Sequence, residues 1–247
     1  MTPAIALTII ATSLGTAFLS GIFGMLGGVI LMALLVSLLP TIGAAFVLHG
    51  LIQLTSNGFR AFLNRADIQW RIIALFLVGG VGALALLSLV RFAPDKAVVL
   101  LSLGLLPFAA AAIPKSLALN AERPAHALLS GLTITATSLL TGVGGPLLDV
   151  FYQRTSLTRH QVVATKAVAQ ALAHIAKIIY FGVLVANANN NFPDGVLLGV
   201  CVITTMIGTT FGKRVLDNMA DATFFRWTGR IIYTLGVILI VRAIMVW

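Results

Sequence analysis

Long apolar runs, each broken by few polar residues, follow one another along the chain. They cover Ala4–Leu39, Ala44–Leu63, Ile72–Val90, Ala97–Ile113, Ala125–Phe151, Gln161–Val185, Val196–Phe211 and Thr228–Val246. A membrane-spanning helix needs about 20 predominantly apolar residues, and strand barrels show much shorter alternating segments. The pattern therefore predicts an all-α polytopic membrane protein with about eight transmembrane segments. Two runs are interrupted, at Gly24-Met25-Leu26-Gly27-Gly28 and at Gly142-Val143-Gly144-Gly145-Pro146. Glycine is flexible and proline lacks an amide donor, so an unbroken helix is disfavoured at both places.

The interruptions are in register. Setting Gly28 on Gly145, an offset of 117 residues, places Gly27 on Gly144, His49 on Lys166, Gln53 on Gln170, Asn57 on His174 and Arg60 on Lys177. Within each half the last four positions are spaced i, i+4, i+8, i+11, one face of a helix. The chain reads as one integral membrane domain of two four-segment repeats, residues 1–114 and 124–247, joined by the polar linker 115–123. Helices 1 and 5 are the broken ones. Four spans per half give parallel repeats, whereas a fold-back at each break changes both span count and handedness. The stretch Asn187–Asn191 with Pro193 reads as a polar turn.

Composition supports the class: 59% of residues are hydrophobic, 9% are charged and mean hydropathy is +1.05, against roughly 25% charged in soluble domains. The net charge of +9 fits basic loops on the cytoplasmic side. One loop set holds Arg91, Lys96, Arg154, Arg159, Lys213, Arg214, Arg226 and Arg230, and the other Arg60, Arg65, Arg71, Lys115 and Arg123. The bias puts the first set inside and both termini outside. Met1–Gly24 lacks the basic start of a signal peptide and leads directly into the first glycine motif, so it is expected to stay in the mature protein. The single Cys201 leaves no disulfide framework.

Irregular backbone at membrane depth persists only against protein or a water-filled cavity, and paired broken helices mark a transporter's binding site. Half-helices starting at Val29 and Leu147 would aim free N–H groups and positive dipole ends at the breaks, which suits an anion. The substrate-binding candidates are Gly27, Gly28, Gly144, Gly145 and Pro146 at the breaks, with His49, Gln53, Asn57, Arg60, Lys166, Gln170, His174 and Lys177 on the stripes. Ionisable groups at depth usually face the bundle interior. Arg60, near its helix end, also fits snorkelling, and the two glutamines also fit a helix-to-helix tie. His174 and Asp149 are candidates for proton coupling, and Asp149 could equally pair with Lys166 or Arg154. His126 and His160 flank segment ends.

Only seven acidic residues occur, too few for a carboxylate cation site. No Walker motif, HExxH, zinc spacing or GxSxG appears, and basic residues are scattered rather than patched. We expect no enzyme, no cofactor, no metal and no nucleic-acid partner. The expected partners are a small anion and the lipid bilayer, with a homo-oligomer left open.

The two glycine motifs, each after an apolar helix and before a polar-striped one, together with Asn64-Arg65-Ala66-Asp67-Ile68-Gln69-Trp70, resemble the TauE/SafE sulfite exporter family, also called the 4-toluene sulfonate uptake permease family. The resemblance spans nearly the whole chain. It implies movement of sulfite or organosulfonates across a bacterial inner membrane, with Gly27, Gly28, Gly144 and Gly145 lining the substrate. The chain departs from the pattern at Val29 and Pro146, where a third glycine often follows. The reading is a secondary transporter, exporting such an anion with proton coupling or down its gradient. The rivals are a haem-binding redox protein using His49 and His174, and a partner subunit without transport activity.

Overall fold

The computed structural model describes residues 2–23, 26–114, 119–185, 192–217 and 221–246. Regular structure among these is entirely helical: α1 (Pro3–Phe23), α2 (Leu26–Leu38), α3 (Ile42–Leu63), α4 (Trp70–Val90), α5 (Lys96–Ala112), α6 (Pro124–Thr141), α7 (Gly145–Tyr152), α8 (Arg159–Ile179), α9 (Gly195–Asp217) and α10 (Asp221–Val246). Several helix starts carry oxygen caps. Thr41 accepts from the Ala44 amide at 3.1 Å and Asp95 from the Val98 amide at 2.7 Å, while Thr158 and Gln161 form a capping box on α8. A π-helical turn, Tyr180–Leu184, extends α8. Four helical stretches, Pro3–Ile22, Trp70–Val90, His160–Leu184 and Gly195–Val215, are long and apolar enough to cross a bilayer, and shorter apolar helices accompany them.

Both interrupted segments resolve into two helices each, so the eight expected segments become ten α-helices among the described residues. The second members start at Leu26 and Gly145, earlier than the expected Val29 and Leu147, because Gly27, Gly28 and Gly145 are taken into the first turn of the new helix. Gly24 and Met25, the linker residues 115–118 and the turn at 187–191 lie outside the described residues.

The chain reverses at each break. The missing side chain of Gly27 faces the Thr16 carbonyl oxygen and Ser20 Oγ on α1, and that of Gly144 faces Ile134 on α6. In the second pair the far ends are tied as well: the Ala121 amide donates to the Phe151 carbonyl at 2.8 Å, and Asn120 Nδ2 to the Arg154 carbonyl at 2.9 Å. Gly142 makes the turn possible, with φ of 87° and its N–H bonded to the Ser138 carbonyl, a left-handed helix cap that glycine adopts without a Cβ clash.

Glu122 closes this hairpin at its open end. Its two carboxylate oxygens accept from the Ser156 amide and the Ser156 hydroxyl, each at 2.7 Å. Those bonds, the backbone one foremost, hold the Glu122 carboxyl below the usual glutamate range. A depressed carboxyl stabilises the fold above the unfolded glutamate value, and the benefit is lost as pH falls through the folded value. Glu122→Gln is expected to lower the thermal midpoint slightly near neutral pH, with the difference shrinking as pH falls through the folded value, as scanning calorimetry in detergent would read. The effect is small because the group is solvated.

Helices pack in pairs that join the first half to the second: α1 along α9, α4 along α6, α3 against α8 and α5 against α10. Apolar side chains fill two clusters. One centres on Leu31, Leu35, Phe46, Val99, Leu103 and Phe181, and the other on Ile72, Phe76, Ile134, Leu148 and Phe151. The outer surface is also apolar, as on α4, where Val78, Val81, Leu86, Leu89 and Val90 are exposed. An apolar exterior of this extent suits contact with lipid. Lipid removes the hydrophobic drive between helices, so close contact of small residues takes its place. Gly208 and Gly212 of α9 accordingly approach the Leu14 and Phe18 carbonyls of α1.

Candidate functional site

The polar stripes of α3 and α8 face one another in opposite directions. His49 lies beside Lys177 and, one turn on, Gln53 shares a cavity with Gln170, so ascending positions on α3 meet descending ones on α8. His49 and Lys177 are fully buried, and Asn57, Gln53 and His174 are less than a tenth exposed.

The cavity between the stripes is walled by both breaks. Gly28 comes from the first turn of α2; Val143, Gly144, Gly145 and Pro146 come from the entry to α7; Ile134 and Ser138 come from α6. The stripes add His49, Gln53, Gln170, Ala173 and His174. Two helix N-termini thus converge on one space. In α7 the first backbone bond within the turn runs from the Leu148 amide to the Gly144 carbonyl at 3.0 Å. The amides of Gly145 and Leu147 precede it and find no acceptor inside the helix, and Pro146 has no N–H to satisfy. Gly28 is required by the Gln53 amide, which occupies the space a Cβ would take.

Lys177 lies behind this cavity and joins the two breaks. Its Nζ is 2.7 Å from the Gly142 carbonyl, the C-terminal cap of α6, and 2.6 Å from His49 Nδ1. On the opposite side of the ring, His49 Nε2 is 2.9 Å from the Gly28 carbonyl. A carbonyl can only accept, so Nε2 carries the imidazole proton and Nδ1 accepts from the lysine. One chain of hydrogen bonds therefore runs from the end of α6 to the start of α2. Lys177 also sits at the negative end of the α6 dipole, where a cation is favoured.

The other stripe residues lie off the cavity. Arg60 Nη2 donates to the Ser20 carbonyl in the last turn of α1 at 3.0 Å. Asn57 Nδ2 donates to the Gln53 carbonyl of its own helix at 3.0 Å. Lys166 forms an ion pair with Asp149, one of the two pairings the sequence left open, and this ties α8 to α7. Gly27 packs against α1. Of the thirteen substrate-binding candidates, the structure brings Gly28, His49, Gln53, Gly144, Gly145, Pro146, Gln170 and His174 to the cavity wall.

Ser138 escaped the sequence reading. Its Oγ and His174 Nδ1 are both buried with no hydrogen-bond partner among the described residues, and both residues line the cavity. A buried polar atom left unpaired is costly, so each is placed to receive a ligand. The signal for Ser138 was positional: it stands one helical turn after Ile134 and just ahead of Gly142. No three His, Cys, Asp or Glu side chains gather as metal ligands among the described residues. Both nitrogens of His49 are engaged, so His49 and His174 do not present the two free nitrogens that axial haem ligation needs.

Among the described residues, an all-helical fold with an apolar exterior and a buried polar cavity at two helix breaks is that of a multi-pass membrane protein. The sequence profile of the sulfite exporter TauE/SafE family matches residues 9–242, nearly the whole chain, and the chain belongs to that family. No curated protein and no solved structure matches it.

Proposed function

We propose that this protein is a secondary transporter that exports a small sulfur-containing anion, sulfite or an organosulfonate, across a bacterial inner membrane. The observation that carries the reading is the convergence of two helix N-termini and two unpartnered buried polar atoms, Ser138 Oγ and His174 Nδ1, on one cavity. Free amides at α2 and α7 supply acceptor-seeking donors and a positive field. Gln53 and Gln170 supply amide hydrogens. His174 is the residue assigned to carry a coupling proton, because it faces the cavity, whereas Asp149 is held by Lys166.

The reading keeps the two-repeat organisation, 1–114 and 124–247, with each first segment built as a helix plus a returning half-helix. A fold-back in each half makes the repeats inverted, related by an axis between α3 and α8 near Gln53 and Gln170. Inverted repeats meeting at a midplane site give a direct route to alternating access.

Reconstituted into proteoliposomes, the protein is expected to give saturable uptake of sulfite and methanesulfonate, each competing with the other and responding to an imposed pH gradient. If sulfite and organosulfonates neither move nor compete, the proposal is wrong.

A further inference from the structure

Building on that function, we infer that the cavity selects by charge, admitting singly charged oxyanions such as hydrogensulfite and organosulfonates and rejecting doubly charged ones such as sulfate and the sulfite dianion. The inference rests on which charges face the space. On α8, Lys177 is not part of the lining, its ammonium being held by the Gly142 carbonyl and His49 Nδ1. Lys166 is neutralised by Asp149 of α7, and Arg60 of α3 is turned to the Ser20 carbonyl of α1. The titratable groups on the wall are His49, with both nitrogens engaged, and His174. The polar groups that α6, α2 and α7 bring to the wall are, among the described residues, the Ser138 hydroxyl and backbone.

Among the described residues, therefore, no lysine or arginine side chain lines the cavity. The fixed positive field at the wall itself comes from two helix N-termini, each equivalent to roughly half an elementary charge, about one unit in total, while the Lys177 ammonium behind the wall is offset in part by the negative end of the α6 dipole. A monoanion matches that field. A second charge would sit buried with no cationic side chain in contact with it, which is costly. Ser138 Oγ and His174 Nδ1 add directional contacts and leave the balance unchanged. Hydrogensulfite also offers its own proton to one of them.

The test is equilibrium binding to the purified full-length protein by calorimetry, with methanesulfonate, sulfate and sulfite from pH 6 to pH 8.5. Methanesulfonate keeps one charge and sulfate two across this range, whereas hydrogensulfite loses its proton near neutrality. At pH 8 methanesulfonate is expected to bind at least tenfold more tightly than sulfate. The ratio of sulfite to methanesulfonate affinity is expected to fall steadily as pH rises. Titration of His174 affects both ligands alike and cancels in that ratio. Gln170→Lys, which adds a cation to the wall, is expected to raise sulfate affinity selectively. Should that variant fail to fold, the wild-type ratios still decide the matter. Sulfate binding within threefold of methanesulfonate, or a ratio that stays flat with pH, overturns the inference while leaving the transport reading intact. If no sulfur oxyanion binds at all, the transport reading falls, and this inference with it.

Discussion

Gly27→Ala is expected to lower the stability of the fold markedly, whereas Gly28→Ala, one residue on, keeps its stability and loses its ligand. The contrast follows from what each new methyl meets. At Gly27 it would collide with the Thr16 carbonyl oxygen of α1, and backbone in a packed helix cannot step aside. Overpacking of this kind costs about 1–3 kcal/mol and sometimes more. Against a total stability of about 5–15 kcal/mol, a loss at the upper end lowers the thermal midpoint by roughly 6–12 °C for a chain of this size. At Gly28 the methyl meets Gln53 Nε2, the far end of a flexible side chain, which can rotate away. The fold survives, but the amide leaves the cavity wall. A hydrogen bond to a charged group is worth about 1.5–3 kcal/mol, so anion affinity should fall roughly tenfold to a hundredfold. Size-exclusion profiles and thermal unfolding in nanodiscs read the first effect, and calorimetric titration reads the second. Equal loss of folding in both variants would contradict the packing described at the break.

Lys177→Met should cripple transport while keeping the chain in the membrane, because it cuts the link between the two breaks. The substitution leaves the Gly142 carbonyl and His49 Nδ1 buried without a donor. Each unpaired group costs about 1–3 kcal/mol, and the α6 cap and the first turn of α2 lose their common reference. Removing both partners with apolar groups is a lesser offence than removing one. His49→Phe combined with Lys177→Met should therefore cost less stability than the sum of the two single variants, with a coupling of about 0.5–3 kcal/mol. Transport should stay low in the double variant, since neither restores the tie. Strict additivity in unfolding free energies would show that the two side chains do not act as a unit.

Much of this was legible before the fold was known. The 117-residue offset already set Gln53 on Gln170 and Gly28 on Gly145, and these four residues do share the cavity wall. Helical spacing identifies which residues share a face of one helix, but it says nothing about the direction in which a second helix crosses. Hence His49 aligned with Lys166 in the repeat, yet its partner in space is Lys177, because α3 and α8 run in opposite directions. The stripe cations illustrate the same limit. Arg60, Lys166 and Lys177 are all substrate candidates by residue type and position, and in the structure each meets a helix-end carbonyl or a carboxylate, a pairing that the sequence offers only for Lys166. A helix C-terminus carries partial negative charge that no residue name reveals. Ser138 was hidden for a different reason. Serines in apolar helices usually bond the carbonyl one turn back, as Ser13 does to Ile9 and Ser37 to Ala33, each at 2.8 Å. That Ser138 does not is a three-dimensional fact.

The central claim is that the anion sits between the two breaks, and selenite, a heavier analogue of sulfite, tests it most directly. Anomalous scattering from protein containing ordinary methionine and soaked with selenite should show one strong selenium peak in the cavity, within hydrogen-bonding distance of Ser138 Oγ and His174 Nδ1. Saturable selenite transport with the peak elsewhere, beside Lys166 or Arg60 for example, would contradict the account.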